Sequence, residues 1–257
     1  MQLVVPMAGL GQRFADAGYA LPKPLIPVDG IPMFVRAARE LPAADRIVFV
    51  IHPEHARQHQ LASVIEHFFP GSPMVVTPGL TRGQACTVRV ACDHLDPDQS
   101  VLVAACDNSH LYSAEKFEQQ SSHNAADCLI WTYRHDLRVL AKPTAHGWVR
   151  VDSSERNVTG VSCKTPISDQ PLNDHAISGC FWFRQAGVMR DAIDAAVAAN
   201  DTVNNEFYLD TIPNRLLSDG RRVEVFEVDK YIGWGTPLDL EDYERWERYF
   251  SANRVNS

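Results

Sequence analysis

Between residues 7 and 33 the chain gathers the groups that a polyphosphate needs. Met7-Ala8-Gly9-Leu10-Gly11-Gln12-Arg13-Phe14 is followed by Leu21-Pro22-Lys23-Pro24-Leu25 and then by Gly30-Ile31-Pro32-Met33. Gly9 and Gly11 let the backbone turn tightly and bring N–H donors close to anionic oxygens. Arg13 and Lys23 supply positive charge, and the prolines flanking Lys23 stiffen its approach. A bare Gly-x-Gly is common in ordinary turns, so the combination with the lysine and the second glycine carries the reading. A dinucleotide fingerprint fits less well. It needs a third small residue where Phe14 stands, and a helix directly after the loop, where this chain has a proline-rich stretch.

Three further groups could do chemistry. Asp107, in Cys106-Asp107-Asn108, follows the apolar run 101–105 and so lies just beyond the end of a buried strand. Strand-end aspartates are often turn formers, but the phosphate loop upstream favours a metal ligand. In Thr81-Arg82-Gly83-Gln84-Ala85, a glycine opens a predicted helix. His55 and His59 share one helix face, with His52 nearby. Without another ligand they are expected on a solvated face rather than around zinc. No Gly-x-Ser-x-Gly elbow offers a hydrolase nucleophile.

The elements that must position these groups alternate in the first half. Runs 2–7, 46–51, 73–77 and 101–105 read as buried strands, and 33–41, 54–69 and 84–95 as helices. Such alternation predicts an α/β fold with a mostly parallel, Rossmann-like sheet flanked by helices, its ligands at the carboxyl ends of the strands. After residue 127 the texture becomes β-rich: 127–133, 148–152, 157–164, 176–183 and 222–228 read as strands, with helices at 186–199, 206–217 and 237–250. The expected organisation is one domain over residues 1–257, with a nucleotide-binding half (1–126) and an acceptor-binding half (127–257).

Composition narrows the partners. A net charge of −8 over 257 residues argues against nucleic acid, which needs a basic stripe, yet leaves a nucleotide-sized ligand open. An acidic protein handling polyphosphate recruits a divalent cation. The six cysteines are scattered singly, which suits neither a zinc site nor a disulfide scaffold and suggests a reducing compartment. With no signal-like start and no long apolar stretch, the expectation is a cytoplasmic protein without a membrane partner.

The segment from Met7 to Met33 resembles the signature of the sugar-phosphate nucleotidyltransferases, the NDP-sugar pyrophosphorylases. The resemblance implies transfer of NMP from an NTP, with a pyrimidine base (CTP, UTP or dTTP) favoured, to a small phosphorylated acceptor such as a sugar 1-phosphate. It implies nucleotide binding by Ala8, Gly9, Gly11 and Gly83, and catalysis by Arg13 on the departing phosphates and Lys23 on the α-phosphate. Asp107 corresponds to the aspartate that holds Mg²⁺. The family's late Asp-Thr-Gly-Thr reads Gly233-Trp234-Gly235-Thr236 here, so the second metal ligand is expected from Asp229, with water as the alternative.

On the acceptor side the resemblance points to Gly147, beside His146 and Trp148, and to Lys164, Gly179 and Glu206. Cys163 and Ile177 stand where the family has a glutamate and an asparagine, two groups that bond sugar hydroxyls or an amide. The loss keeps open a cytidylyltransferase for a phosphocholine-like acceptor, and Gly233 in the metal aspartate's place keeps open a nucleotide-sensing subunit without chemistry. Family members often assemble, so a homo-oligomer is expected.

Overall fold

The computed structural model describes residues 1–58, 60–123 and 126–254. In chain order the first half contains β1 (Gln2–Met7), α1 (Gln12–Asp16), the short hairpin β2 (Pro27–Val28) and β3 (Ile31–Pro32), and α2 (Met33–Arg39). Next come β4 (Arg46–Ile51), α3 (Pro53–Gln58), α4 (Leu61–Phe68), β5 (Met74–Val76), α5 (Gln84–Ala91), β6 (Val101–Ala104), β7 (Asn108–Leu111) and α6 (Ala114–His123). The second half contains β8 (Cys128–Tyr133), α7 (Arg138–Ala141), β9 (Gly147–Val151), β10 (Val158–Cys163), β11 (His175–Phe183), α8 (Ala186–Ala198), α9 (Ile212–Ser218), β12 (Val223–Glu227), β13 (Lys230–Gly233) and α10 (Pro237–Arg254).

The main sheet runs β10-β9-β11-β6-β1-β4-β5, with β8 joined to β11 and β12. β4 and β6 lie parallel to β1 on opposite sides, and β5 is parallel to β4. The chain therefore leaves β1 toward β4 and later returns to β1's other edge with β6, which opens a crevice at the carboxyl ends of these two strands.

Why the first-half strands read as unbroken apolar runs is visible in their packing. Val4, Val48, Val50 and Val103 enter one buried cluster, whereas Leu3, Val5, Phe49, Ile51 and Leu102 enter another on the opposite face. Helices cover both faces, so alternate residues are all buried. Each such side chain contributes about 1.5–3 kcal/mol by leaving water. Beyond β6 the sheet turns mixed: β11 is antiparallel to β6, β8 and β9.

Several boundaries differ from the sequence reading. The helix expected over 54–69 is two helices, because Gln60 adopts a left-handed φ of 50° at the start of α4. The helix expected over 206–217 begins only at Ile212. Pro213 would clash with the carbonyl of residue 209 inside a longer helix, so it sits in the first turn. A five-residue helix, α1, does follow the first glycine loop directly. The periodicity of β7, β13 and α6 was not visible in the sequence, since these are short or largely polar.

Candidate active site

A cleft of about 370 Å³ opens at the carboxyl ends of β1 and β6, and seven of the predicted residues line it: Ala8, Gly9, Gly11, Lys23, Gly83, Asp107 and Glu206. Its walls also include Thr81, Gln84 and Thr87, which the sequence reading did not single out.

Lys23 opens a single 3₁₀ turn, Lys23–Leu25, and its ammonium donates to a carboxylate oxygen of Asp107. Gly11 makes this approach feasible. Its φ is +66°, and a Cβ there would lie 3.0 Å from the Lys23 Cβ. Burial works against the lysine's charge, but the adjacent Asp107 outweighs it, and the Lys23 pKa is raised above the ordinary value. Lys23 is thus a fixed cation in an acidic protein. Arg13 lies outside the cleft lining, exposed on α1, near enough for its charge to oppose that of Lys23.

Asp107 is held from behind by the β7/β13 pair, where Asn108 faces Gly233. The Trp234 N–H donates to the Asp107 carbonyl at 2.8 Å. A Cβ on Gly235 would stand 3.0 Å from Asp107 Oδ2, so the late glycine leaves the carboxylate uncrowded. Asp229 corrects an expectation. Its N–H donates to the Leu111 carbonyl, at the end of β7 away from Asp107, and its side chain is exposed. Four residues of strand, about 3.3 Å each, separate the two carboxylates. The structure does not bring Asp229 to Asp107.

Among the described residues no group of three His, Cys, Asp or Glu is arranged to hold a metal. A single carboxylate on the wall of this cleft, with one oxygen taken by Lys23, still fits magnesium, which keeps waters and takes its other oxygens from substrate phosphates. His52 and His55 are buried, not solvated, and Nδ1 of His52 accepts the Glu54 N–H at 3.3 Å. His59, the third histidine of that group, lies outside the described residues.

The second loop closes another wall of the cleft. Gly83 has φ +117° at the start of α5, and a Cβ there would lie 2.5 Å from the Phe207 carbonyl oxygen. That carbonyl accepts the Ala85 N–H at 3.0 Å, and the Phe207 N–H donates to the Arg82 carbonyl at 2.8 Å. Glu206 therefore reaches the cleft from an irregular segment clamped to α5, not from a helix.

Gly147, Lys164 and Gly179 do not line the cleft. Gly179, φ +89°, sits in the bulge of β11, and its carbonyl accepts the Ala105 N–H at 3.2 Å. Asn108 ties this bulge to the Asp107 loop by donating to the Ser178 carbonyl at 2.9 Å. Lys164 has a left-handed φ of 61°; its ammonium donates to the Ala145 carbonyl at 2.9 Å and lies 5.4 Å from the centre of the Tyr208 ring. Gly147 abuts the carboxylate of Asp210, leaving no room for a Cβ. Tyr208 and Asp210 escaped the sequence reading because they lay within a predicted helix.

Residues 3–151 match the profile of the MobA-like NTP transferase domain. The chain belongs to this family. The match bears out the resemblance read from the glycine-lysine segment, and it includes every cleft-lining residue of this MobA-like transferase except Glu206. The bifunctional protein GlmU of Staphylococcus epidermidis is 25% identical over 271 aligned residues, covering 98% of this chain and 55% of that protein. The chain thus spans about half the length of the curated relatives it matches. A nucleoside-diphosphate-sugar pyrophosphorylase from Vibrio cholerae superposes with a TM-score of 0.77 at 20% identity, covering 95% of this chain and 99% of that one. An inositol-1-phosphate CTP transferase from T. maritima gives 0.69 at 16% identity, with 95% and 93% covered. At these identities the structural likeness is one of fold. Among the described residues of the MobA-like transferase, no helix is long and apolar enough to cross a membrane.

Proposed function

We propose that this MobA-like NTP transferase joins the NMP part of an NTP, a pyrimidine nucleotide by preference, to a phosphorylated acceptor of the sugar 1-phosphate kind, releasing pyrophosphate. The observation that carries the reading is the Lys23 ammonium on the Asp107 carboxylate inside a glycine-walled cleft at the strand ends. An acceptor phosphate oxygen forms a bond to the α-phosphorus as the bond to the bridging oxygen of the leaving pyrophosphate breaks. The acceptor is already ionised near neutral pH, so the residues position and stabilise rather than remove a proton.

In this reading the loops at Ala8, Gly9, Gly11 and Gly83 seat the nucleotide. Lys23 stabilises charge growing on the α-phosphate, and Arg13 closes on the departing phosphates. Lys164 meets the acceptor's phosphate, and Gly147, Gly179 and Glu206 border its body. Asp107 would hold Mg²⁺, which when bound neutralises phosphate charge as a Lewis acid. The relatives named for NDP-sugar formation and for inositol 1-phosphate support the transfer to a phosphate acceptor.

The test is pyrophosphate release from CTP, UTP, dTTP, GTP and ATP with Mg²⁺ and a panel of sugar 1-phosphates. Acceptor-dependent release from a pyrimidine NTP is expected. NTP binding without acceptor-dependent release across the panel would overturn the proposal in favour of a sensor.

A further inference from the structure

Asp210 lies in the 3₁₀ turn Leu209–Thr211, against the backbone of Gly147, where any larger residue would collide with its carboxylate. It forms no ion pair among the described residues, and the Cys163 thiol lies close enough to influence its carboxylate. Gly147 and Cys163 face each other across the β9/β10 register, so both elements leave space for this one carboxylate. A half-buried carboxylate given room by a glycine, and flanked by a thiol that is at best a weak donor, retains most of its accepting capacity. Burial raises the Asp210 pKa, while Lys164 and the thiol hold it down.

The surroundings limit what can use that capacity. Lys164 is near enough to Asp210 for its charge to be felt there, so a second cation brought to the carboxylate meets repulsion. The same ammonium lies over the Tyr208 ring, which occupies the aromatic face that a quaternary ammonium would need. An uncharged hydrogen-bond donor faces neither obstacle.

Resting on the transferase reading above, we propose that Asp210 is the residue that determines specificity for the acceptor. Its carboxylate accepts hydrogen bonds from hydroxyls of a polyhydroxylated phosphate ester, and this selects sugar or polyol phosphates against phosphocholine-like acceptors. A site built around such an acceptor discriminates strongly, because the carboxylate loses its partners when the hydroxyls are missing.

The test uses calorimetric binding of glucose 1-phosphate, inositol 1-phosphate and phosphocholine to the full chain, with Mg²⁺ and each of the five α,β-methylene NTP analogues. The wild type should bind a hydroxylated ester and not phosphocholine. Asp210→Asn should weaken that ester roughly ten- to a hundredfold, the range for losing a charged hydrogen-bond acceptor. Affinity for the NTP analogue should stay unchanged, which with the melting temperature shows that the variant folds. A series of monodeoxy analogues separates contact from support: the one lacking the hydroxyl read by Asp210 should bind wild type and variant alike. Tighter binding of phosphocholine, no binding of any hydroxylated ester, or an Asp210→Asn variant with unchanged acceptor affinity would each overturn the assignment. Because binding is read directly, the absence of pyrophosphate release would count against the transferase reading alone.

Discussion

Replacing Gly83 by alanine should damage both stability and nucleotide binding, and replacing Gly9 should not affect stability. At Gly83 the backbone has φ 117° and ψ 174°, a region open essentially only to glycine, which costs an alanine about 1–3 kcal/mol. The new Cβ would also stand 2.5 Å from the Phe207 oxygen and 2.7 Å from its nitrogen. Relieving that overlap means moving backbone that is itself hydrogen-bonded to Arg82 and Ala85, a further cost of about 1–3 kcal/mol by analogy with overpacked cores. Together these give about 2–6 kcal/mol, a large share of the roughly 5–15 kcal/mol stability of a typical domain. For a chain of this size each kcal/mol lowers Tm by about 2–4 °C, so a fall of at least 4 °C is expected. At Gly9 nothing lies within 4 Å of an added Cβ, so Gly9→Ala should keep the wild-type Tm while crowding the nucleotide. Differential scanning calorimetry and titration with a non-hydrolysable NTP read both effects. A Gly83→Ala protein with wild-type Tm and nucleotide affinity would refute the clamp between α5 and the 206–208 segment.

Lys23→Met should lower kcat by about 10²–10³, the loss typical of removing a transition-state cation or donor, and should also lower Tm, because the pair is only about one-fifth exposed and the substitution leaves the Asp107 carboxylate without its cation; steady-state kinetics on the folded fraction beside a melting curve checks it. Asp107→Asn should weaken binding of Mn²⁺, followed by electron paramagnetic resonance as a stand-in for Mg²⁺, whereas Asp229→Asn should leave it unchanged, since Asp229 lies at the far end of β7. Burial alone would raise the Asp136 pKa, but hydrogen bonds and charge from Arg138 outweigh it and hold it at about 2. A depressed pKa stabilises the fold above the unfolded value near 3.8 and loses that contribution as pH falls toward 2. Asp136→Asn should therefore cost about 1–2 kcal/mol at pH 7, allowing for the 40% exposure of Arg138, and almost nothing near pH 2 in urea titrations. Asn108→Ala should raise the acceptor KM more than it lowers kcat, because its amide ties the Gly179 bulge to the Asp107 loop.

Much of the cleft lining could be read from the chain alone. The parallel strands are buried on both faces, so β1 and β4 appear as apolar runs with the boundaries expected. The glycines, Lys23 and the strand-end Asp107 lie in short segments whose conformation depends on neighbours in sequence, and all of them reach the cleft. Arg13 sits in one of those segments, but whether its long side chain reaches the cleft depends on what lies opposite it, and here it stays outside.

The side proposed for the acceptor was decided by long-range contacts. Glu206, Tyr208 and Asp210 share a stretch that reads as helix until Pro213 and the hydrogen bonds to Arg82 and Ala85 fix it as an irregular segment. Asp229 is nearer to Gly233 in sequence than Asp107 is, yet antiparallel pairing of β13 with β7 carries it to the wrong end. The chain itself determined which residues can bind phosphate, since that depends on side-chain charge and glycine turns. Only the tertiary structure decided which carboxylates share a site, because strand register and backbone clamps between segments 118 to 127 residues apart set those distances.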